Sequence, residues 1–212
     1  SIRANLDGSI GDIYARTNTG TVSVDGIPVA SAQPDEFIGN AQPDALVGWS
    51  NQLRYKDFSL NFLIDARVGG YVFSQTSTGL DRDGVSKRSL QYRESGILVD
   101  ATVADTSEMN TKSISAQEYW QAMADVSANY VYGQDNIRLR EISIGYQLPS
   151  MPKFGIESAT LQLVGRNLFF FSKDAEDIDP ESMVGTTLGI QGINENAMPT
   201  AKSVGLNLSL NF

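Results

Sequence analysis

Hydrophobic and polar residues alternate strictly over the last ten positions of the chain, 203–212. Valine, leucine and phenylalanine occupy one side of this segment, while the other side carries serine, glycine and asparagine. A period of two is typical of a β-strand, whose successive side chains point to opposite faces. About ten residues is also the length with which a tilted strand crosses a bilayer. The pattern therefore predicts a strand, either in an ordinary antiparallel core or in a membrane barrel.

Three further segments, 58–69, 141–148 and 159–166, show the same alternation, and the aromatic run 169–171 follows the last of them. A membrane barrel has an apolar face toward lipid, a polar face toward its lumen, and aromatic residues at the membrane interfaces. We therefore predict an all-β membrane barrel. The residues predicted to face lipid are Phe58, Leu60, Phe62, Ile64, Leu206, Leu208 and Leu210, and those predicted to face the lumen are Asn61, Asp65, Asn207 and Ser209.

The connections between these strands are of two unequal lengths. Residues 55–58 and 149–157 form short links, whereas 28–46, 71–135 and 172–200 are long. Outer-membrane barrels have short turns at the inner rim and long loops outside, so the long segments are expected to be extracellular. Loops are also where recognition residues concentrate, and the long segments are therefore the expected recognition regions.

One long segment contains a predicted helix. Ser115 followed by Glu118 is a capping box, in which each side chain accepts from the other residue's backbone amide, and the helix is expected to run from about 116 to 125. Tyr119 and Trp120 lie on it and are candidates for substrate binding, because an aromatic ring can stack on a sugar. The alternative is that they pin the loop to the barrel mouth.

Charged residues supply two further candidates for substrate binding. Asp65 and Arg67 share the predicted lumen face, where they could steer a solute or form salt bridges with neighbouring strands. Asp177, Asp179 and Glu181 place carboxylates at alternate positions, but the loop lacks the glycine and the terminal glutamate of an EF-hand. No metal is predicted.

Composition excludes several classes of function. The 212 residues include no cysteine and no histidine, and the net charge is -9. Zinc sites, disulfides and Cys or His nucleophiles are thereby excluded, and no alternative catalytic pair stands at a telling spacing, so neither an enzyme nor a cofactor is predicted. An acidic chain without a basic stripe is also a poor nucleic-acid binder. No apolar run is long enough for a transmembrane helix.

Nine short motifs are distributed along the chain: GDIY (11–14), IGN (38–40), PD (43–44), GWSN (48–51), YKDFSL (55–60), IRLREISIGYQLP (137–149), GRNL (165–168), DIDPE (177–181) and MPTAKS (198–203). Together they resemble the later barrel region of the SusC/RagA family of TonB-dependent outer-membrane transporters. Their order and spacing cover almost the whole chain. One departure is Lys202, which stands near a position where the family usually has arginine.

The resemblance implies a 22-stranded barrel with an amino-terminal plug, integral to the outer membrane and in contact with its lipid. Such a barrel imports oligosaccharides or peptides beneath a SusD-like lipoprotein, and the TonB complex opens it through the plug. Residues 1–212 are then expected to be the carboxy-terminal part of the barrel, with eight to ten strands, while the plug and the amino-terminal strands are absent. Phe212 is the expected assembly signal, because outer-membrane barrels end on an aromatic residue. A passive porin or an adhesin is the alternative.

Overall fold

The computed structural model describes residues 11–34, 36–149, 153, 155–175, 177–183 and 192–212. Much of the predicted link at 149–157 and the first ten residues of the predicted barrel segment lie outside these residues. Within them the chain forms fifteen strands and two α-helices: β1 (Asp12–Ala15), β2 (Asn18–Val22), β3 (Pro28–Ala30), β4 (Glu36–Asn40), β5 (Ala45–Tyr55), β6 (Phe58–Val68), β7 (Tyr71–Ser74), α1 (Gln75–Arg82), β8 (Ile97–Leu98), β9 (Thr102–Val103), β10 (Ser113–Ile114), α2 (Ala116–Met123), β11 (Val131–Gly133), β12 (Asn136–Leu148), β13 (Ser158–Lys173), β14 (Ile193–Asn194) and β15 (Ser203–Asn211).

These elements divide between two compact units. The sheet unit consists of Pro43–Gly69, Gln134–Glu181 and Pro199–Phe212, and it contains the four segments that the alternation predicts to be strands. The loop unit consists of Ser1–Gln42, Gly70–Gly133 and Ser182–Met198. No helix in the described part of either unit is long and apolar enough to cross a bilayer.

The sheet unit is one antiparallel sheet with the strand order β15-β13-β12-β6-β5. Its register puts the apolar positions of successive strands side by side, and Leu60, Ile144, Leu163 and Leu206 are consecutive partners. This face is exposed, and 74% of the surface of Leu206 is accessible. The opposite face is polar, as the alternation predicts.

Side chains on the polar face bond to one another across three strands. Asn61 on β6 and Gln162 on β13 both donate to the hydroxyl oxygen of Ser143 on β12, each at 3.0 Å. A hydroxyl oxygen has two lone pairs and can accept both bonds. Side-chain hydrogen bonds therefore link the polar positions of β6, β12 and β13.

Two turns and one bulge in the sheet use left-handed backbone. Lys56 forms the hairpin between β5 and β6 with φ 53°, and Gly69 ends β6 with φ 75° at a point where a Cβ atom would collide with Asp44. Asn167 has φ 52° in β13, where the pairing with β12 shifts register opposite Arg140. Asparagine tolerates this conformation better than most residues do. The bulge turns Arg140 toward the polar face, where its guanidinium bonds to Asp65.

The prediction of eight to ten barrel strands is wrong for the described residues, because strands in the long segments form small sheets of their own and do not join the large sheet. The described sheet has five long strands, and the remaining strands form four small sheets in the loop unit. A hydrophobic core stabilises these short strands, because burial removes apolar surface from water. The core residues of the loop unit are Ile13, Ala15, Val22, Ala41, Val72, Phe73, Ile114, Ala116, Ala124, Val126 and Tyr130.

Candidate functional site

The predicted helix cap in the loop unit is confirmed. The backbone N–H of Glu118 donates to the hydroxyl of Ser115 at 3.2 Å, and the Glu118 carboxylate accepts from the backbone N–H of Ser115 at 2.9 Å. The hydroxyl of Ser115 also donates to this carboxylate at 2.7 Å. The hydrogen bond from the Ser115 backbone N–H makes the largest contribution to lowering the pKa of Glu118, and the bond from the Ser115 hydroxyl makes the next largest. Helix α2 ends at Met123, two residues before the predicted end.

Tyr119 and Trp120 lie in an aromatic cluster of the loop unit. Their ring centroids are 5.2 Å apart with a near-perpendicular interplanar angle of 81°, and Tyr92 meets Tyr119 edge-on at 5.8 Å. The guanidinium of Arg88 lies 5.9 Å from the Trp120 ring and 4.9 Å from the Tyr130 ring, within the range of cation–π attraction. Both rings predicted to bind substrate are therefore held by contacts within their own unit.

A buried charge pair supports this cluster. Arg88 Nε lies 2.6 Å from Asp81 Oδ2, and the hydroxyl of Tyr130 donates to the same oxygen at 3.0 Å. Burial is the main reason that the pKa of Tyr130 lies well above its usual range, and the negative charge of Asp81 raises it further. The sequence gives no local signal for this group, because its three residues come from α1 and from two later parts of the loop unit.

A cavity of about 730 Å³ lies between the carboxyl end of α1 and the amino end of α2. This volume is within the range of small-molecule sites in proteins. Trp120 and Asp81 both line it. Ser89, Arg93, Gln117 and Gln121 also line it.

On the polar face of the sheet unit, charged residues form an ion-pair network. Arg140 pairs with Asp65 at 2.6 Å and binds both carboxylate oxygens of Glu181, at 2.6 and 2.9 Å. Arg138 donates to Glu181 at 2.8 Å and lies 4.6 Å from the ring of Phe170. Only 2% of the Arg138 side chain is accessible. Asp65, a predicted substrate-binding residue, thus has a cross-strand partner in this structure.

Asp179 links two parts of the sheet unit, the end of the stretch at Glu181 and the start of the next stretch at Thr200. Its carboxylate accepts from the backbone N–H groups of Glu181, at 3.0 Å, and Thr200, at 2.8 Å, and from the Thr200 hydroxyl. Burial alone would raise the pKa of Asp179, but these hydrogen bonds and the nearby Arg138 hold it below its usual value. In the described residues no group of three or more acidic side chains has metal-holding geometry.

The last two predicted site residues also lie in the sheet unit. Arg67 donates to the side-chain oxygen of Gln134, whose amide donates to the carbonyl of Pro180 at 3.0 Å, so Arg67 adjoins the ion-pair network. Phe212 follows β15 with 79% of its surface accessible. Substrate binding by Tyr119, Trp120, Asp65 and Arg67, and the assembly role of Phe212, stay predictions.

Arg138 and Arg140, which hold the network together, were not predicted as site residues. A period of two counted back from Ile142 and Ile144 would put both on the apolar face, but the register shifts between Leu139 and Glu141, and Arg138 becomes the partner of Asp65. Alternation alone could therefore not have identified them. Their partner Glu181 lies more than forty residues away, and no local pattern connects it to them.

Two curated proteins are similar in sequence over most of the chain. TonB-dependent receptor P3 of Formosa agariphila is 25% identical over 196 residues, which is 89% of this chain and 18% of that protein. TonB-dependent receptor P26 of the same organism is 27% identical over 194 residues, 87% of this chain and 18% of that protein. The chain thus spans less than one fifth of the length of these relatives. No protein-family model matches the sequence.

Solved structures with the same fold include the RagAB peptide importer. In its closed-closed state the TM-score is 0.58 at 18% identity, and the match covers all of this chain and 22% of that one. In the open-open state the TM-score is 0.60 at 15% identity, covering all of this chain and 24% of that one. The chain therefore shares the fold of part of that importer, and the sequence resemblance to SusC/RagA transporters is confirmed.

Proposed function

We propose that the chain belongs to the TonB-dependent receptors and that the complete protein is an energy-coupled importer in the outer membrane, with residues 1–212 as a carboxy-terminal part of its barrel. The observation that carries the proposal is the sequence similarity to two such receptors over nearly nine tenths of the chain. The two-faced sheet supports it, since one face is apolar and exposed while the other holds a charged network. This is the division that a barrel wall needs between lipid and lumen.

The edges of the sheet support the view that this chain forms part of a larger barrel. In the described residues β5 and β15 each pair on one side only. Exposed edge strands pair with other chains, and barrels remove this hazard by closing completely. The remaining strands of the barrel are the partners that would pair with these edges.

The partners and the substrate follow from the family resemblance. We infer a SusD-like surface lipoprotein as the lid, the TonB complex acting through the plug, and an oligosaccharide or a peptide as the cargo. The loop unit, which has its own core and a capped helix, is the proposed contact for the lid or the cargo. A passive porin or an adhesin is the second candidate, because either would share the strand pattern.

Uptake by intact cells separates these candidates. Cells expressing the full-length receptor should accumulate labelled cargo only when TonB is present, because the plug needs an energy source to open. A porin would let cargo pass in a TonB deletion strain at the same rate. Equal uptake with and without TonB would therefore contradict the import proposal.

A second experiment tests the role of the loop unit. Replacing Ser115 and Glu118 together by alanine removes the α2 cap and should reduce uptake or co-purification of the lipoprotein, while barrel insertion stays unchanged. Replacing Glu94 and Ser95, an exposed pair in the same unit, is the matched control. If the cap variant matches the control in both assays, the loop unit has no such role.

A further inference from the structure

We propose that Asn51 fixes the register of the barrel strand that pairs with the free edge of β5, through a side-chain hydrogen bond to a polar residue directly opposite it on that strand. The partner is an uncharged side chain with a donor or an acceptor, such as that of asparagine, glutamine, serine or threonine. This inference rests on the proposed barrel and deepens it, because it names the chemistry of one contact between this chain and the rest of the barrel wall.

Asn51 lies on the apolar face of the sheet. It is the direct partner of Phe62 on β6, and residues that stand opposite one another in an antiparallel pair share a face. Its neighbours two positions away on β5, Trp49 and Leu53, point to the same face and are more than half exposed. An amide therefore stands among hydrophobic side chains on the surface that is proposed to meet lipid.

The position of Asn51 along β5 puts this amide at the depth of the lipid tails. Tyr55, Phe58 and Tyr146 are consecutive partners at the short-turn end of the sheet, and aromatic rows of this kind mark a membrane interface. Asn51 precedes Tyr55 by four residues. At about 3.3 Å per residue and a tilt of about 40°, it stands about 10 Å from that row, within an apolar band about 25 Å tall.

The described neighbours of Asn51 on this face do not provide a hydrogen-bond partner. On β6, Phe62 stands opposite it while Leu60 and Ile64 stand diagonally, and these three side chains have neither donor nor acceptor. The ring of Phe62 also packs edge-to-face with Trp49, at a centroid distance of 5.2 Å. A polar side chain that meets Asn51 across the sheet must therefore come from the other side of β5.

That other side is a free sheet edge. Among the described residues β5 pairs only with β6, so its outer backbone groups are available to a further strand. Such a strand places one side chain directly opposite Asn51 on the same face, with Cβ atoms about 4.5–5.5 Å apart. Polar groups in lipid need partners within the protein, so this position favours a hydrogen-bonding residue. A slip of one residue would turn that residue to the lumen, so the bond selects a single register.

The sign of one stability change tests the proposal. Asn51→Leu keeps the approximate size of the side chain but removes its donor and its acceptor. The variant leaves the partner on the adjacent strand without a hydrogen bond, so it should lower the urea midpoint of the full-length receptor in detergent by on the order of 0.5 M. If Asn51 simply faces lipid, the same change replaces an amide by a hydrocarbon. A raised or unchanged midpoint would therefore overturn the proposal.

Leu53→Asn is the matched control, because it introduces the same amide on the same face of β5, two residues away. No partner is expected opposite this position, so the variant should lower both the urea midpoint and the amount of barrel in the membrane fraction. A midpoint equal to that of the wild type would show that this face tolerates a lone amide, and it would remove the reason for a partner.

Photo-crosslinking identifies what lies against Asn51. With p-benzoylphenylalanine at position 51 of the full-length receptor, irradiation of intact cells should crosslink the receptor internally, and mass spectrometry should map the crosslink to a strand outside residues 1–212. A covalent species of twice the receptor mass would indicate a second copy on this face, and crosslinking to lipid alone would indicate no protein contact. Either result would overturn the proposal. These assays do not involve TonB, so a receptor that meets them without TonB-dependent uptake would contradict the import function alone.

Discussion

Removing the Glu181 carboxylate should destabilise the barrel far more than removing a carboxylate from an exposed ion pair. Glu181 binds Arg140 through both oxygens and Arg138 through one, and 26% of its side chain is accessible. Glu141 provides the matched control, because its bond to Arg166 is 2.9 Å long while the two side chains are 41% and 62% accessible. The two pairs have similar distances and differ in burial.

The expected magnitudes follow from that difference. Glu181→Ala leaves the guanidinium of Arg138, which is 2% exposed, with the Thr200 hydroxyl at 3.2 Å and the Phe170 ring as its remaining contacts. Losing one partner of a buried pair typically costs 3–5 kcal/mol, and the partial exposure of Glu181 reduces this to about 2–4 kcal/mol. An exposed pair contributes about 0.2–1 kcal/mol, so Glu141→Ala should have a small effect.

The free energy of unfolding of the full-length receptor can be measured in urea and detergent, with the loss of heat-modifiable electrophoretic mobility as the signal for unfolding. Glu181→Ala should lower the urea midpoint clearly, and Glu141→Ala should leave it close to that of the wild type. Glu181→Gln, which keeps an acceptor but not the charge, should fall between them. If the two alanine variants agree within about 0.5 kcal/mol, burial does not control these ion pairs and the reasoning is wrong.

Three further predictions concern the sheet unit. Leu208→Lys should reduce barrel insertion, measured by membrane fractionation, because transferring the lysine charge into lipid costs about 2–4 kcal/mol. Ser209→Lys, on the opposite face of the same strand, should insert like the wild type. Asn167→Val should lower the unfolding midpoint by about 1–2 kcal/mol because a branched side chain resists φ 52°, and Asn167→Gly should not. The lowered pKa of Asp179 means that its carboxylate stabilises the fold at pH values above its ordinary pKa of about 4, and that this contribution disappears as the pH falls through the lower folded value. The difference in thermal midpoint between wild type and Asp179→Asn should therefore be present at pH 7 and shrink as the pH falls below that ordinary value, and a constant difference would contradict it.

Local patterns in the sequence were sufficient for four of the five long strands and for the helix cap, whereas no alternation was identified over β5. A strand with one apolar face needs a strict period of two, so the segments 58–69 and 203–212 carry the signal in their own residues. The capping box between Ser115 and Glu118 spans three residues and is equally local. Helix α1 was not predicted, and its hydroxyl cap at Ser74 lacks a glutamate three residues later.

The loop unit shows where local patterns stop being informative. Strands such as β8, β9 and β10 are two residues long, which is too short for any period to be visible. They are stabilised by partners distant in sequence and by a shared core, so the prediction that the long connections were loops missed their small sheets.

Within a regular strand the sequence alone shows which residues share the apolar face and which share the polar face, because the pleat of a strand ties side-chain direction to position. The absence of cysteine and histidine is equally visible in the sequence and excludes their chemistry from these 212 residues. Which charges meet depends on the tertiary structure. Arg138 and Arg140 find Glu181 across more than forty residues, and Asp81 finds Tyr130 across forty-nine. These contacts depend on how distant segments pack, and the free energy of burying a charge is set only when its partner is in place.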